Sequence, residues 1–164
     1  MAVDRSIIGK STGSTRVVVE RGPVAVFADA VHEDSPAYRD TTAALTAGHG
    51  AIPVPPTYPF AMAHWGAFTE IQPAPAADGA AGMGRVLGPL LAEGGLLLHG
   101  EQAFEYHRPV VVGDVLLGEG KVADVYEKQS GGHTMTFLVT ETIWTDDSTG
   151  EAVVTARTNL LVRK

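Results

Sequence analysis

The chain has no cysteine, which removes a disulfide frame, a thiolate nucleophile and a thiolate metal site together. It is also short of positive charge: 12 Lys and Arg against 19 Asp and Glu leave a net charge of -7, which argues against a nucleic-acid surface. No apolar run reaches the about 20 residues needed to span a bilayer. The opening MAVDRSIIGK lacks the apolar centre of a signal peptide. The expected location is therefore cytoplasmic, with neither membrane nor nucleic acid as partner. The six histidines show no HExxH or comparable ligand spacing, so no metal is expected. A G-x-G-x-x-G motif, a phosphate loop and a GxSxG elbow are missing too, which removes several enzyme classes, and no cofactor is expected.

What is present is an ordinary globular composition, with 45% hydrophobic residues, 19 Gly and 10 Pro in 164 residues. That length sets one domain over 1–164 as the expectation. The most continuously apolar stretch, Thr57 to Ile71 (TYPFAMAHWGAFTEI), carries its own helix start. Thr57 can cap the first free N–H groups, and Pro59 falls in the first turn, where a missing donor costs nothing. Almost no polar face is left, so this helix is expected to be covered on all sides. The strands for that task lie on either side. Ser14 to Glu20 reads as a strand, ended by Arg21-Gly22, and Pro23 opens a helix, PVAVFADAVHE, that breaks at Pro36 into the polar loop His32 to Asp40. Thr41 to Pro56 reads as extended, and Gln72 to Gly95 as a long loop with one helical turn at most, either a flap over a ligand site or a plain covering loop.

From Leu96 the pattern has a period of two. Leu96 to Arg108 sets Phe104 and Tyr106 on one face and Glu101, Glu105 and His107 on the other. Val115 to Tyr126 follows, then a hairpin at Gln129 to Gly132, a strand from His133 to Thr145, a turn at Asp146 to Gly150 and a last strand from Ala152 to Val162. The expected fold is α+β: a curved antiparallel sheet, the later strands a meander, wrapped round one central apolar helix.

That order, with the segments LLLHGEQAFEYHRPVVVGD (96–114), VAVFADAVHEDSPAYRD (24–40) and VPPTYPFAM (54–62), resembles the hot-dog fold of the MaoC-like and FAS1-like (3R)-hydroxyacyl dehydratase family, in particular its N-terminal type of domain. The resemblance implies reversible addition of water across the double bond of an acyl thioester carried on coenzyme A or an acyl carrier protein. Such chemistry needs a base for the α-proton, an acid for the departing hydroxyl and donors for the thioester oxygen. The resemblance places those donors on backbone N–H groups near Thr57, Tyr58 and Phe60, where Pro59 offers none. Active (R)-hydratases of this type carry an Asp and a His five residues apart in the loop after the first helix, with Asn-Pro between. Here the matching positions are Glu33, Ser35-Pro36 and Tyr38, and a phenol with an ordinary pKa of about 10 is a poor substitute for imidazole.

Two readings follow. In one, the chain is a subunit that shapes the acyl-binding tunnel for a catalytic hot-dog partner. In the other it acts alone with Glu33, Tyr38, His64 and His99. A thioesterase using Glu33 and a bound water, and a non-catalytic acyl-CoA binding module, are the alternatives from other classes. His99 precedes a strand glycine, a sign that another backbone or a ligand comes close, although a strand histidine is more often a partial-core residue. His64 reads as structural, bonding to a carbonyl. Arg108 could meet a coenzyme A phosphate or a partner's carboxylate, but the plainer reading is an exposed strand end. A sheet of this kind leaves an open edge, so a homodimer, or a heterodimer with a related hot-dog subunit, is expected.

Overall fold

The structure is a computed structural model and describes residues 3–65, 79–92 and 94–164. Its five strands are β1 (Ser11–Val18), β2 (Leu96–Tyr106), β3 (Val115–Ser130), β4 (His133–Asp146) and β5 (Ala152–Arg163), joined antiparallel in the order β1-β3-β4-β5-β2. The expected meander holds for β3, β4 and β5, whereas β2 pairs with β5 and not with β3. The reason lies in 107–114, which makes no tight hairpin. Its backbone pairs instead with the segment before the central helix, through Val54 N–H to the Val110 carbonyl (3.0 Å) and Val112 N–H to the Ile52 carbonyl (2.8 Å). Register slips at Ser11/Gly13, His99/Glu101 and Val122/Asp124 bend and twist the sheet, as bulges do. The hairpin at Gln129 to Gly132 is present, with Gly131 and Gly132 at φ 58 and 78°, the conformation that a two-residue primed turn demands.

One face of the sheet carries the helices. On it α3 (Tyr58–Trp65) sends Tyr58 and Met62, both fully buried, into a core with Val17, Leu116, Trp144 and Val154. Burying one such side chain contributes about 1.5–3 kcal/mol. The expectation of a helix covered on all sides is corrected: Phe60, Ala63 and His64 are exposed. An absence of polar residues says that a face avoids water, not that the same chain covers it. Gly66 to Ile71, the rest of the expected helix, lies outside the described residues.

The loop reading of Gln72 to Gly95 is overturned by α4 (Gly79–Leu91). Val86, with Leu87 and Leu90 beside it, packs against Val122, Val125 and Leu138, an i, i+1, i+4 stripe that the surrounding Gly and Ala concealed. The small residues serve packing: a Cβ on Gly82 would lie 2.5–2.7 Å from the backbone of Thr12 and Gly13. A further short helix, α2 (Thr41–Thr46), replaces the expected extended start of Thr41 to Pro56. It is capped by Asp40, whose Oδ1 accepts from Ala43 N–H at 2.8 Å.

Candidate active site at the start of α3

The loop carrying Glu33 is shaped by how the first helix stops. That helix, α1 (Arg21–Ala30), begins two residues before Pro23 and ends well before Pro36. His32 takes a left-handed φ of 56°, its N–H bonds to the Asp29 carbonyl (3.1 Å) and the Glu33 N–H to the Ala28 carbonyl (2.8 Å). This is a Schellman stop with histidine where glycine is usual. Arg39 then fastens the loop. Its guanidinium donates to the Glu33 carbonyl at 2.8 Å and pairs with Asp29, while its own carbonyl accepts from Arg21 at 3.0 Å. The Glu33 Oε1 accepts from Ser35 N–H at 3.0 Å, and Pro36–Tyr38 forms a single 3-10 turn.

Tyr38 feels the charge of Glu33, and Tyr106 feels that of Tyr38. Burial raises the Tyr38 phenol above its usual pKa, and the negative charge of Glu33 adds to the effect. Burial likewise pushes Tyr106 up to about 12, with Tyr38 contributing. Tyr106, on β2, donates its hydroxyl to the Pro56 carbonyl at 2.7 Å, in the turn that leads into α3. Glu33, Tyr38 and Tyr106 thus lie within electrostatic reach, one of the next, and Tyr106 is the one hydrogen-bonded to the turn before α3. From sequence Tyr106 is a face-setting strand residue only; the alternation that puts it on the inner face is the available signal.

At the helix start the amide groups sort themselves. Tyr58 N–H is bonded to the Pro55 carbonyl (2.9 Å) and Phe60 N–H to the Thr57 carbonyl (3.1 Å), so neither is open to a ligand as these bonds stand. Thr57 is exposed and, among the described residues, its N–H has no partner. The side chain of Tyr58 is core, fully buried with its ring edge-on to Phe27 at 5.4 Å. No cap bond from the Thr57 hydroxyl is present among the described residues; the Thr57 carbonyl serves the first turn instead.

A second group lies one turn further on. Phe60 meets the rings of His64 (5.0 Å) and His99 (5.2 Å, nearly perpendicular), and the His64 Nδ1 sits 2.9 Å from the Phe60 carbonyl, the expected carbonyl contact, but made by an exposed ring and not a buried one. These three residues border an open cavity of about 490 Å³ floored by Trp144, Thr142 and Thr158, a volume suited to a small ligand. The glycine beside His99 does mark a close approach: a Cβ on Gly100 would stand 3.1 Å from the Asn159 carbonyl. Arg108 reaches Asp114 and Asp146, each at 2.8 Å, so its charge is spent within the chain. Among the described residues no three His, Asp or Glu side chains converge as metal ligands do, and no helix is long and apolar enough to cross a membrane.

Residues 6–156 match the family model for the FAS1-like dehydratase domain region. A UPF0336 protein of Thermobifida fusca is 33% identical over 99% of this chain and 95% of its own length. Another, from Clavibacter michiganensis, is 36% identical over 89% and 85%. Among solved structures, the HadBC (3R-hydroxyacyl-ACP dehydratase) complex of Mycobacterium tuberculosis superposes with a TM-score of 0.69 at 24% identity, over 98% of this chain and 99% of that one. The ChsH1-ChsH2 complex of the same organism gives 0.74 at 19% identity, over 92% and 83%. An (R)-hydratase from A. caviae gives 0.58 at 17%, over 93% and 94%. At these identities the structural likenesses establish the fold, which is the hot-dog fold.

Proposed function

The chain belongs to the FAS1-like dehydratase-domain family, and we propose on that premise that it is a cytoplasmic subunit of an (R)-specific enoyl-thioester hydratase or 3-hydroxyacyl-thioester dehydratase, shaping the acyl site for a related hot-dog partner. The observation that carries this reading is the make-up of the loop and helix start: Glu33, Tyr38 and Tyr106, the last bonded to the Pro56 carbonyl. Glu33 offers a carboxylate as base, but the groups electrostatically linked to it, directly or through Tyr38, are two phenols that hold their protons more tightly than usual. Of the imidazoles beside them in sequence, His32 is exposed at the helix stop and His107 is engaged with the Thr155 hydroxyl at 3.0 Å, while His64 and His99 belong to the separate Phe60 group. In dehydration the base takes the α-proton, the C–O bond at the β-carbon breaks, and the hydroxyl leaves as water once an acid protonates it. Glu33 suits the first role and Thr57 N–H can meet the thioester oxygen, while the acid is the part this chain supplies poorly.

The open edge supports a partner. β2 is an eleven-residue edge strand with Leu96, Leu97 and Leu98 exposed at 55, 39 and 38%, and an uncovered apolar edge is a template for pairing. Acyl-thioester hydrolysis by Glu33 and a water is the second reading, favoured by the lone carboxylate. The test is to purify the chain alone and follow the enoyl absorbance of a short trans-2-enoyl-CoA together with free-thiol release. The expected result is neither, with hydration appearing on addition of the hot-dog subunit that co-purifies from the source cell. Hydration at full rate by the chain alone overturns the subunit reading, and thiol release establishes the second one.

A further inference from the structure

The outer face of the sheet, turned away from α3 and α4, carries an ordered pattern. Leu138 and Leu160 pack on the helix side, so their neighbours Phe137 and Leu161 point outward. The pairing register sets Tyr126, Phe137, Leu161 and Leu98 opposite one another across β3, β4, β5 and β2, a straight apolar ladder. Its two aromatic rings are stacked at 4.9 Å and 7°. The next ladder toward the hairpin carries the cations Lys128 and Arg163, and the next one the other way carries the acids Asp124 and Glu101. In a chain whose arginines are mostly ion-paired, neither Lys128 nor Arg163 meets a carboxylate among the described residues. Lys128 instead folds its ammonium over the two rings, 5.4 and 5.2 Å from their centres.

Such a surface is complementary to itself. A two-fold axis laid along the apolar ladder keeps each strand over its own copy and exchanges the cationic and acidic ladders, so that Lys128 of one copy stands over Asp124 of the other and Arg163 over the Asn159–Glu101 pair. We propose that the occupant of this outer face is a second copy of the chain, packed sheet to sheet in an isologous contact. Asp124 is not locked away from that role, since its bond to Arg5 is a 3.3 Å pair between half-exposed groups, the kind worth little in water. The three ladders cover a patch of roughly 14 by 14 Å at ordinary strand spacing, far below the about 800 Å² per partner of a stable interface. The contact is therefore weak and concentration-dependent unless another link reinforces it, and it does not depend on the proposed activity or on pairing at β2.

Sedimentation velocity of the full chain over a range of concentrations tests it. The wild type is expected to form a species of twice the mass of its smallest one as concentration rises. Lys128→Asp and Asp124→Lys are each expected to abolish that species, and the double exchange to restore it, with melting curves showing all four chains folded. No concentration-dependent doubling in the wild type, single variants that associate like it, or a folded double variant that does not recover would each overturn the proposal.

Discussion

Trp144 lies fully buried across a strand that has no side chain to meet it, and this contact offers the sharpest test of the packing under the cavity. An added Cβ at Gly118 would stand 2.8, 2.8 and 2.9 Å from three atoms of the indole benzo ring, and the ring, 1% exposed, has little room to retreat. Overpacking of this kind costs about 1–3 kcal/mol. Against it stands a gain of about 0.4–1 kcal/mol, because alanine has fewer unfolded conformations to lose. Gly118→Ala is therefore expected to destabilise by about 0.5–2 kcal/mol, which for a chain of this size lowers Tm by roughly 1–8 °C. In a Trp144→Phe background the clashing ring atoms are gone, so the same substitution becomes neutral or stabilising. Thermal melts of the four chains in the double-mutant cycle measure the difference. A coupling within about 0.5 kcal/mol of zero refutes the contact. Since Trp144 also floors the cavity, on the proposed function Gly118→Ala should weaken binding of an acyl thioester.

Gly82→Ala is expected to cost more than Gly118→Ala, because the atoms met are backbone of β1 and cannot rotate away; hydrogen exchange in α4 should quicken, and unchanged exchange tells against the close approach. Tyr106→Phe removes one neutral hydrogen bond and should lower stability by only about 0.5–1.5 kcal/mol, yet on the proposed function depress turnover of the assembled complex several-fold; equal, slight effects on both would mean that the Pro56 turn is held by other bonds. Glu141 is paired with Arg157 (2.7 Å) and Lys121 (3.1 Å), Arg157 foremost, and the two keep its carboxyl below the ordinary value of 4.5. A depressed folded pKa contributes stability that is complete above that ordinary value and is lost as pH falls through the folded one. Glu141→Gln should thus flatten the acid-side fall in Tm, and parallel curves from pH 6 down to about 3 would count against the pairing.

The strands were legible because alternation and turn chemistry act locally: Gly131-Gly132 specifies its hairpin whatever surrounds it, and Phe104 and Tyr106 fall on the inner face as their spacing requires. Strand order was not legible in the same way, since the partner of β2 is decided by a connection that pairs with Ile52 and Val54, about 60 residues away in sequence. The α4 helix was hidden because Gly and Ala signal a loop when read alone and signal tight helix-on-strand packing only when β1 is known to be beneath. The end of α1 shows the same limit. Pro36 is a visible breaker, but the helix stops at Ala30 because His32 takes a backbone conformation that its residue type does not announce. At the site, Glu33 and Tyr38 were named by resemblance, whereas the hydrogen bond from Tyr106 to the turn before α3 is a tertiary contact that no local pattern announces.

What the tyrosines can do limits what this loop can do. With a pKa near 12, Tyr106 is a weaker acid than an ordinary imidazolium by about five orders of magnitude, and Tyr38 is shifted in the same direction. Neither can hand a proton to a departing hydroxyl at a useful rate near neutral pH, so on the proposed function what the loop lacks is a proton donor at position 38. The scaffold can be tested for that directly by Glu33→Asp and Ser35→Asn combined with Tyr38→His, which writes the (R)-hydratase pattern into the loop. If the loop and the Thr57 N–H already face one substrate position, the triple variant alone should hydrate a trans-2-enoyl-CoA, with a pH profile governed by a group titrating near 6.5, and the same chain with Tyr38 retained should not. A folded triple variant that binds the thioester without turnover would show that the loop and the helix start serve different positions, and that the acyl site is completed elsewhere than on this chain.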